Sequence, residues 1–440
     1  MRQSNENYGA VPAMTAGPQT VPQGLTAVAM VFVLLAFIPM LGQADPTSTA
    51  VSPSRLVELL LLSMAAGCGV LLRGRNGRVE LPVSVSCLIA LITAFSLWAM
   101  VTSLQGPLLL TGLVKALELL VICFVAFEIV CATRPTEPGD PGRLANVALL
   151  SILCSVAVLI VLNVIQQHRP LPLAGVADWP STYSRPRLML GQLHPLTSGL
   201  LLALGVIFCL YARMPWWFRL VSLVGLAWLL RLCDARGSEF GLWVGLLLSL
   251  FSKLPSSPYK LLAGLSALCT TVFAGLIVTL SGAADKLILR YVGSDAFTLN
   301  GRVGLWSYVL SQVPDHPLLG VGYYSTRSYV LNAFPFAGHT HNSGIEVLFS
   351  TGVVGAGLFI LFLCLWVFAL VTTADPMLVG ISPIVLIEGS LNPILFTPSI
   401  GMFLMLLVLL NALFGGYHRS QRGVRLMNAP VRLLRPLPVR

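Results

Sequence analysis

The sequence predicts an all-α fold, that of a polytopic helical membrane protein with about 12 transmembrane helices. Of its 440 residues, 56% are hydrophobic and 10% are charged, against roughly 25% charged in an ordinary soluble domain. Apolar runs of roughly 18 to 22 residues recur along the chain, and each can cross about 30 Å of hydrocarbon as a helix. These two observations exclude a soluble globular protein. The sequence also lacks the segments of roughly 10 residues with alternating apolar and polar side chains that form the strands of outer-membrane barrels.

One long segment interrupts the predicted spans and is expected to form a large outer loop between spans 9 and 10. The segments are a disordered cytoplasmic tail at 1–23, spans 1–9 within 24–281 with an outer loop at 166–195, the large loop at 282–352, spans 10–12 within 353–415, and a basic cytoplasmic tail at 416–440. The spans are predicted at 24–41, 56–72, 83–101, 113–132, 144–165, 196–212, 219–233, 237–252, 261–281, 353–374, 376–390 and 398–415.

The net charge of +10 is explained by membrane topology and does not require nucleic acid as a partner. With an even number of spans, both termini lie on the same side, together with Arg73, Arg75 and Arg78. Cytoplasmic loops of membrane proteins carry an excess of Lys and Arg. Both termini are therefore predicted to be cytoplasmic, and no nucleic-acid partner is expected.

The sequence carries no pattern that indicates a metal or a nucleotide. The nine cysteines are scattered singly, nearly all within apolar runs, and no pair has metal-ligand spacing. The phosphate-binding Gly-x-x-x-x-Gly-Lys-Ser/Thr pattern and an Asp-x-Asp pair are also missing. We expect no metal and no cofactor, which disfavours a nucleotide-driven pump and a metal-dependent sugar-nucleotide transferase.

The end of the large loop holds the most informative residue, His341. Ser343 and Glu346 have the spacing of a capping box, which predicts that a helix begins there and continues into the tenth span. His341 would then lie near the positive end of the helix dipole, which lowers the pKa of the imidazole. A neutral imidazole can accept a proton, so His341 is a candidate general base. The alternative is that His341 only forms hydrogen bonds within its loop. Its position alone favours this alternative.

Within the same loop, residues 301–313 are predicted to form a short helix. We expect this helix to lie in the membrane interface with its tryptophan at headgroup depth. Its apolar face is predicted to consist of Val303, Trp306, Leu310 and Val313.

Arginines on the outer side are the second indication of a functional site, because the positive-inside rule does not explain arginines on that side. A guanidinium group matches phosphate oxygens bidentately, so several of them could bind a diphosphate. An ion pair with Asp234 is the alternative for Arg236. Three charges in or near spans, Lys115, Glu118 and Glu388, are either functional or simply paired. The outer arginines are Arg185, Arg187, Arg236, Arg290, Arg302 and Arg327.

The pair His341-Asn342, followed after nine residues by Gly352 and after two more by Gly355, resembles the signature of the O-antigen ligase and O-antigen polymerase superfamily. One departure concerns Arg236, which follows Ala235 where family members often have Ser. Further matches are Gly301-Arg302 with Trp306, His316-Pro-Leu-Leu-Gly-Val-Gly322, Arg187-x-x-x-Gly191 and Ala235-Arg236-Gly237.

The resemblance implies a metal-independent, inverting glycosyltransferase of the bacterial inner membrane, whose outer loops face the periplasm. It implies an undecaprenyl-diphosphate-linked glycan as donor, and lipid A-core or a growing polysaccharide as acceptor, in lipopolysaccharide or exopolysaccharide synthesis. The implied roles are His341 as catalytic base, Arg187, Arg236 and Arg302 on the diphosphate with Arg290 as second choice, and Asn342, Gly352 and Gly355 as support of the helix start.

Three alternatives stay open. A ligase attaches finished polymer to lipid A-core, whereas a polymerase extends the glycan on its carrier, and the two share motifs. A protein O-oligosaccharyltransferase shares the signature but takes a protein acceptor. A transporter or flippase would show internal repeats with spans broken at matching positions; residues 390–398 could be one such break, but no partner is seen in the first half.

Overall fold

A computed structural model describes the protein at residues 23–37, 53–76, 81–133, 142–167, 173–174, 187–188, 190, 193–252, 302–334, 337–373 and 375–427. The predicted ninth span at 261–281 and Arg290 lie outside these residues. The helices are α1 (Gln23–Ala36), α2 (Pro53–Asn76), α3 (Val83–Ser103), α4 (Leu109–Ala132), α5 (Gly142–Gln167), α6 (Pro195–Tyr211), α7 (Trp216–Cys233), α8 (Arg236–Ser252), α9 (Arg302–Gln312), α10 (Thr326–Val330), α11 (Ser343–Thr373), α12 (Pro376–Leu391) and α13 (Ile400–Met427).

The described part of the chain is helical apart from one short antiparallel pairing. Strands β1 (Leu173–Ala174) and β2 (Arg187–Leu188) pair through two residues each. Each predicted span except the ninth coincides with a helix. Five of the described helices (in α2, α3, α5, α7 and α11) are long and apolar enough to cross a membrane, and shorter apolar helices accompany them. The chain is therefore a multi-pass helical membrane protein.

Helix α13 lies at the centre of the described bundle. From Met402 to Leu413 its side chains are at most 5% exposed, on every face of the helix. A helix that is apolar all round lies where other helices or lipid cover it. Helices α3, α4, α6, α11 and α12 provide that cover.

Of the charges predicted in or near spans, Lys115 and Glu118 are paired. Lys115 Nζ lies 2.6 Å from Glu58 Oε1 and 2.7 Å from Glu118 Oε2. At the end of α7, Arg231 Nη1 lies 3.2 Å from Glu239 Oε2. Charges at membrane depth are costly unless they are paired, so these contacts are sufficient to explain why Lys115 and Glu118 are tolerated.

Helix α11 is broken at Gly352, where φ is 68° and ψ is −169°. The break removes the intrahelical partners of the preceding carbonyls, which belong to buried residues and therefore need other donors. The loop that leads from α9 to α10, together with α3, supplies new partners. The bonds are Val321 N to Phe349 O (2.9 Å), Gly322 N to Ser350 O (3.1 Å), Val353 N to Pro317 O (2.9 Å) and Trp98 Nε1 to Thr351 O (2.9 Å).

The short loop helix buries a different face from the predicted apolar one, and its place in the membrane interface stays a prediction. Helix α9 buries Leu305 and Val309, whereas Val303 and Leu310 are 46% and 45% exposed. The Trp306 indole donates to the Thr340 carbonyl (2.7 Å). The i, i+3 spacing of apolar residues does not show against which face of a helix other residues pack. Here Leu305 and Val309 pack into a small apolar core within the loop. That core contains Leu305, Val309, Val321, Val330, Ala337 and Phe349.

We expect Gly352→Ala to destabilise the protein by roughly 1–3 kcal/mol, because the conformation at 352 is nearly restricted to glycine. A Cβ there would also overlap the Leu318 carbonyl. The measurement is the thermal unfolding midpoint of the purified protein in detergent. The control is Gly357→Ala in the same helix, where a Cβ meets nothing within 4 Å and alanine favours the helix. Equal midpoints for the two variants would contradict the role of the break.

Candidate active site

The start of α11 is fixed by Asn342. Its Oδ1 accepts from Ile345 N (2.9 Å), as an N-cap residue does. Its Nδ2 donates to the carbonyl of Ser390 at the end of α12 (3.1 Å). Asn342 therefore joins the helix start to the neighbouring helix end, immediately after His341.

The predicted capping box between Ser343 and Glu346 was wrong. Ser343 is the first helical residue, and its hydroxyl donates to Asn392 O (2.9 Å) and accepts from Ile394 N (3.1 Å). Glu346 Oε2 accepts from Thr340 N (2.9 Å). Because Asn342 already caps the helix, the side chains of Ser343 and Glu346 can instead hold neighbouring segments. Ser343 holds the segment after α12, and Glu346 holds the loop before α11.

His341 occupies a left-handed backbone conformation with φ 56°. This conformation costs a non-glycine residue on the order of 1 kcal/mol or more and persists only where its surroundings impose it. Here Trp306 and Glu346 hold the backbone of Thr340 on one side, and Asn342 holds the other. The position of His341 is therefore imposed by the fold.

A second histidine lies against the first. The rings of His339 and His341 have centroids 4.2 Å apart, and His339 Nδ1 accepts from the backbone N of His341 (3.1 Å). Burial lowers the pKa of His339 well below its usual value, and the proximity of His341, His194 and Arg302 lowers it further. Both rings are thus neutral near neutral pH.

The His341 ring is partly buried, and burial is the largest cause of a pKa lowered to about 4. The positive charge of Arg302 and the proximity of His194 lower the pKa further, while a hydrogen bond with the Asn392 side chain opposes them. The Nδ1 atom itself is buried and has no hydrogen-bond partner. His341 therefore presents a neutral ring with an unused nitrogen.

The arginines predicted from the sequence differ in how clearly the structure connects them with this site. Arg302 begins α9, and its charge acts on both His339 and His341. Arg236 begins α8 with a side chain that is 65% exposed, its Nε 3.5 Å from Asp234 Oδ1. For Arg187 the structure describes only the backbone, in β2, and Arg290 lies outside the described residues. Arg327, whose charge acts on His339, joins Arg302 here.

The comparison with known families adds one finding. Residues 199–360 match the family model of the O-antigen ligase. The match covers less than half of the chain, and over these residues the chain is similar to the O-antigen ligase family. The matched O-antigen ligase domain includes Arg236, Arg302, His341 and Gly355, whereas Arg187 precedes it. No match is found among curated proteins.

Sequence reasoning missed three partners of the site and left a fourth, Glu388, undecided. Asn392, at the end of α12, raises the pKa of His341, and Trp306 and Glu346 hold the backbone of Thr340 beside it. The Asn-Pro pair after an apolar run indicated a helix end at Asn392 but not its contact with a residue 51 positions away. In the described part of the chain, no group of three or more His, Cys, Asp or Glu could hold a metal; metal independence stays a prediction.

We expect the His341 ring of the purified protein to titrate near pH 4, and at a higher pH in Arg302→Gln, because the lost positive charge no longer disfavours the imidazolium. The measurement is an NMR titration of the protein labelled at histidine with ¹⁵N, with His341 assigned by its loss in His341→Gln. Arg236→Gln is the control and should leave the titration in place. A wild-type midpoint near 6.5, or an unchanged one in Arg302→Gln, would contradict this electrostatic description.

Proposed function

We propose that the protein transfers a glycan from undecaprenyl diphosphate to an acceptor hydroxyl on the periplasmic face of the inner membrane. The observation that carries the proposal is His341, held neutral with an unpartnered nitrogen beside Arg302, at the histidine of the family signature. A neutral imidazole near a cationic group suits a reaction that removes a proton while an anion departs.

The reaction proceeds as a single displacement with inversion. The proton of the acceptor hydroxyl passes to His341, which becomes an imidazolium, as the acceptor oxygen bonds to the anomeric carbon of the glycan. The bond from that carbon to the diphosphate breaks, and its electron pair leaves with the diphosphate. No metal is needed, because arginines neutralise the charge that develops on the leaving group.

Binding of the donor also improves the base. In the unoccupied protein, the charge of Arg302 contributes to the low pKa of His341. A bound diphosphate would offset that positive charge and raise the pKa of His341, and a general base is most effective when its pKa lies near the working pH. Because the neutral form is active, the rate rises as pH rises through this pKa, and the rise in kcat should occur at higher pH than the rise in kcat/KM.

Several arginines are assigned to the diphosphate of the donor. The charge of Arg302 acts on the base, and Arg236 begins the helix whose Ser238 bonds Glu388. We assign both to the diphosphate, together with Arg187 and, as second choice, Arg290. The acceptor is lipid A-core for a ligase and a growing polysaccharide for a polymerase. Both termini are assigned to the cytoplasm.

Replacing His341 in a deletion strain tests this function. We expect His341→Gln to remove surface polysaccharide, since loss of a general base costs typically 10²- to 10⁴-fold in rate. The readouts are the surface polysaccharide, the lipid-linked glycan and the abundance of the protein in the membrane. His316→Gln is the control, because His316 is an exposed histidine of the same loop that contacts Tyr329.

The accumulated glycan distinguishes the activities. Short repeats left on the carrier indicate a polymerase, and long polymer left on the carrier indicates a ligase; unglycosylated protein acceptors indicate a protein O-oligosaccharyltransferase. Normal surface polysaccharide with abundant His341→Gln protein would refute the catalytic role and leave a transporter as the alternative.

A lysine at 236 or 302 keeps the charge but loses the two-pronged geometry. We expect Arg302→Lys and Arg236→Lys to reduce transfer about tenfold or more in membranes that contain equal amounts of protein. Arg143→Lys, at an exposed arginine on the predicted cytoplasmic side, is the control. Transfer at the wild-type rate in Arg302→Lys would show that bidentate phosphate binding is not used there.

A further inference from the structure

The two histidines of the loop before α11 differ in what their Nδ1 atoms do. His339 Nδ1 accepts the backbone N–H of His341 at 3.1 Å. His341 Nδ1 is buried and has no hydrogen-bond partner. The two rings lie against each other, with centroids 4.2 Å apart and planes inclined at 59°. The side chain of His339 therefore touches the candidate base at its backbone and at its ring.

The bond from His339 acts on the residue whose backbone is strained. His341 has φ 56°, a conformation that residues other than glycine adopt uncommonly. The bonds from Trp306 and Glu346 hold the preceding residue, Thr340. The bond from His339 instead fixes the amide of His341 itself. A side chain that accepts from the amide two residues later closes a turn like those that Asn and Asp form.

The same bond assigns the hydrogen on the ring of His339. In a neutral imidazole, one nitrogen carries the hydrogen and the other accepts. Because Nδ1 of His339 accepts from an N–H group, the hydrogen lies on Nε2. An imidazolium has two donors and no acceptor, so it could not make this bond. Burial lowers the pKa of His339 well below its usual value, which keeps the ring neutral near pH 7.

We propose that His339 is a positioning residue, whose Nδ1 holds the amide of His341 and thereby fixes the place of the His341 ring for proton transfer. His339 does not take the proton of the acceptor hydroxyl, because its accepting nitrogen is already occupied. That proton goes to the ring of His341, which becomes an imidazolium. The catalytic part of the proposal rests on the proposed transfer reaction, whereas the turn and the tautomer of His339 do not.

Three substitutions at 339 separate this role from packing and from proton transfer. Asparagine carries its accepting oxygen on Cγ, as histidine carries Nδ1, and it has no group that titrates near neutral pH. Glutamine places its oxygen one bond farther out, near the position of Nε2. Leucine fills a similar volume but has no acceptor. A role in packing alone would tolerate leucine, a role of Nε2 would favour glutamine, and the proposed turn requires asparagine.

The first measurement reads the turn and needs no substrate. The full chain, labelled with ¹⁵N and ¹³C at histidine, is placed in lipid nanodiscs at pH 7 without donor. Nitrogen–carbon correlations show which nitrogen of His339 carries hydrogen, and hydrogen exchange reports whether the His341 amide is bonded. The signals are assigned by their loss in His339→Asn and in His341→Gln.

We expect the Nε2–H tautomer at His339 in the wild type. The His341 amide should exchange at least about tenfold faster in His339→Leu and His339→Gln than in the wild type and in His339→Asn, because only the latter two retain the acceptor.

The second measurement reads the positioning role in transfer assays, with thermal unfolding midpoints as the check on folding. We expect His339→Leu and His339→Gln to lower kcat at least about tenfold, because small displacements of a catalytic group are costly. The KM for the donor should change little, since the arginines bind the diphosphate. His339→Asn should bring kcat back to within about threefold of the wild type, because the acceptor at the position of Nδ1 is restored.

An Nδ1–H tautomer of His339 in the wild type would overturn the proposal, even if the variants do not fold. So would a wild-type kcat in folded His339→Leu, a kcat restored by glutamine and not by asparagine, or equal losses of kcat in all three folded variants. A wild-type protein with the expected tautomer and a protected His341 amide but without transfer activity would instead refute the proposed function and confirm the turn.

Discussion

The break in α11 at Gly352 is the constraint on which the site depends. A continuous helix from Ser343 would satisfy its own carbonyls and would have no need of the loop between α9 and α10. The break leaves those carbonyls without partners in the helix, and the loop and Trp98 supply donors because the residues at the break are buried and an unpaired buried carbonyl is costly. The first part of α11 is thereby fixed to the loop, and His341 at its start is fixed with it.

The two glycines of the signature can now be given physical reasons. Gly352 adopts a conformation that other residues rarely adopt, and the Leu318 carbonyl occupies the place of its Cβ. Gly355 lies one turn later, where a Cβ would overlap the Thr351 side chain. The histidine, the asparagine and the glycines therefore act as one unit, in which the asparagine begins the helix and the glycines shape its passage past the loop.

The electrostatics of the site also depend on this packing. Burial and nearby positive charge keep His341 neutral, and the same positive charge suits an anionic diphosphate. In the proposed mechanism, a base that is weak in the unoccupied protein becomes stronger when the donor neutralises the arginines. In this account, binding of the donor and activation of the acceptor are coupled through one set of charges.

Features carried by local pattern could be predicted from the sequence, whereas those that depend on distant contacts could not. Apolar runs placed the helices, because length and hydrophobicity alone decide what can cross a membrane. The buried face of α9 was missed, because its partner, Phe349, comes from α11. The capping role was assigned to Ser343 but belongs to Asn342. Both residue types are good helix caps, so the residue type alone cannot decide between them. Asn392 lies 51 residues after His341, and no spacing rule joins the two.

The central claim is that His341 accepts a proton in a transfer that needs no metal. The most direct measurement uses the purified protein in nanodiscs with an undecaprenyl-diphosphate-linked glycan, an acceptor and excess chelator, and follows product and donor binding together. We expect the wild type to turn over at an unchanged rate with chelator, whereas His341→Gln should bind the donor normally but form product at least about 10²-fold more slowly. Product formation by His341→Gln at the wild-type rate, or its complete loss in the wild type with chelator, would contradict the account.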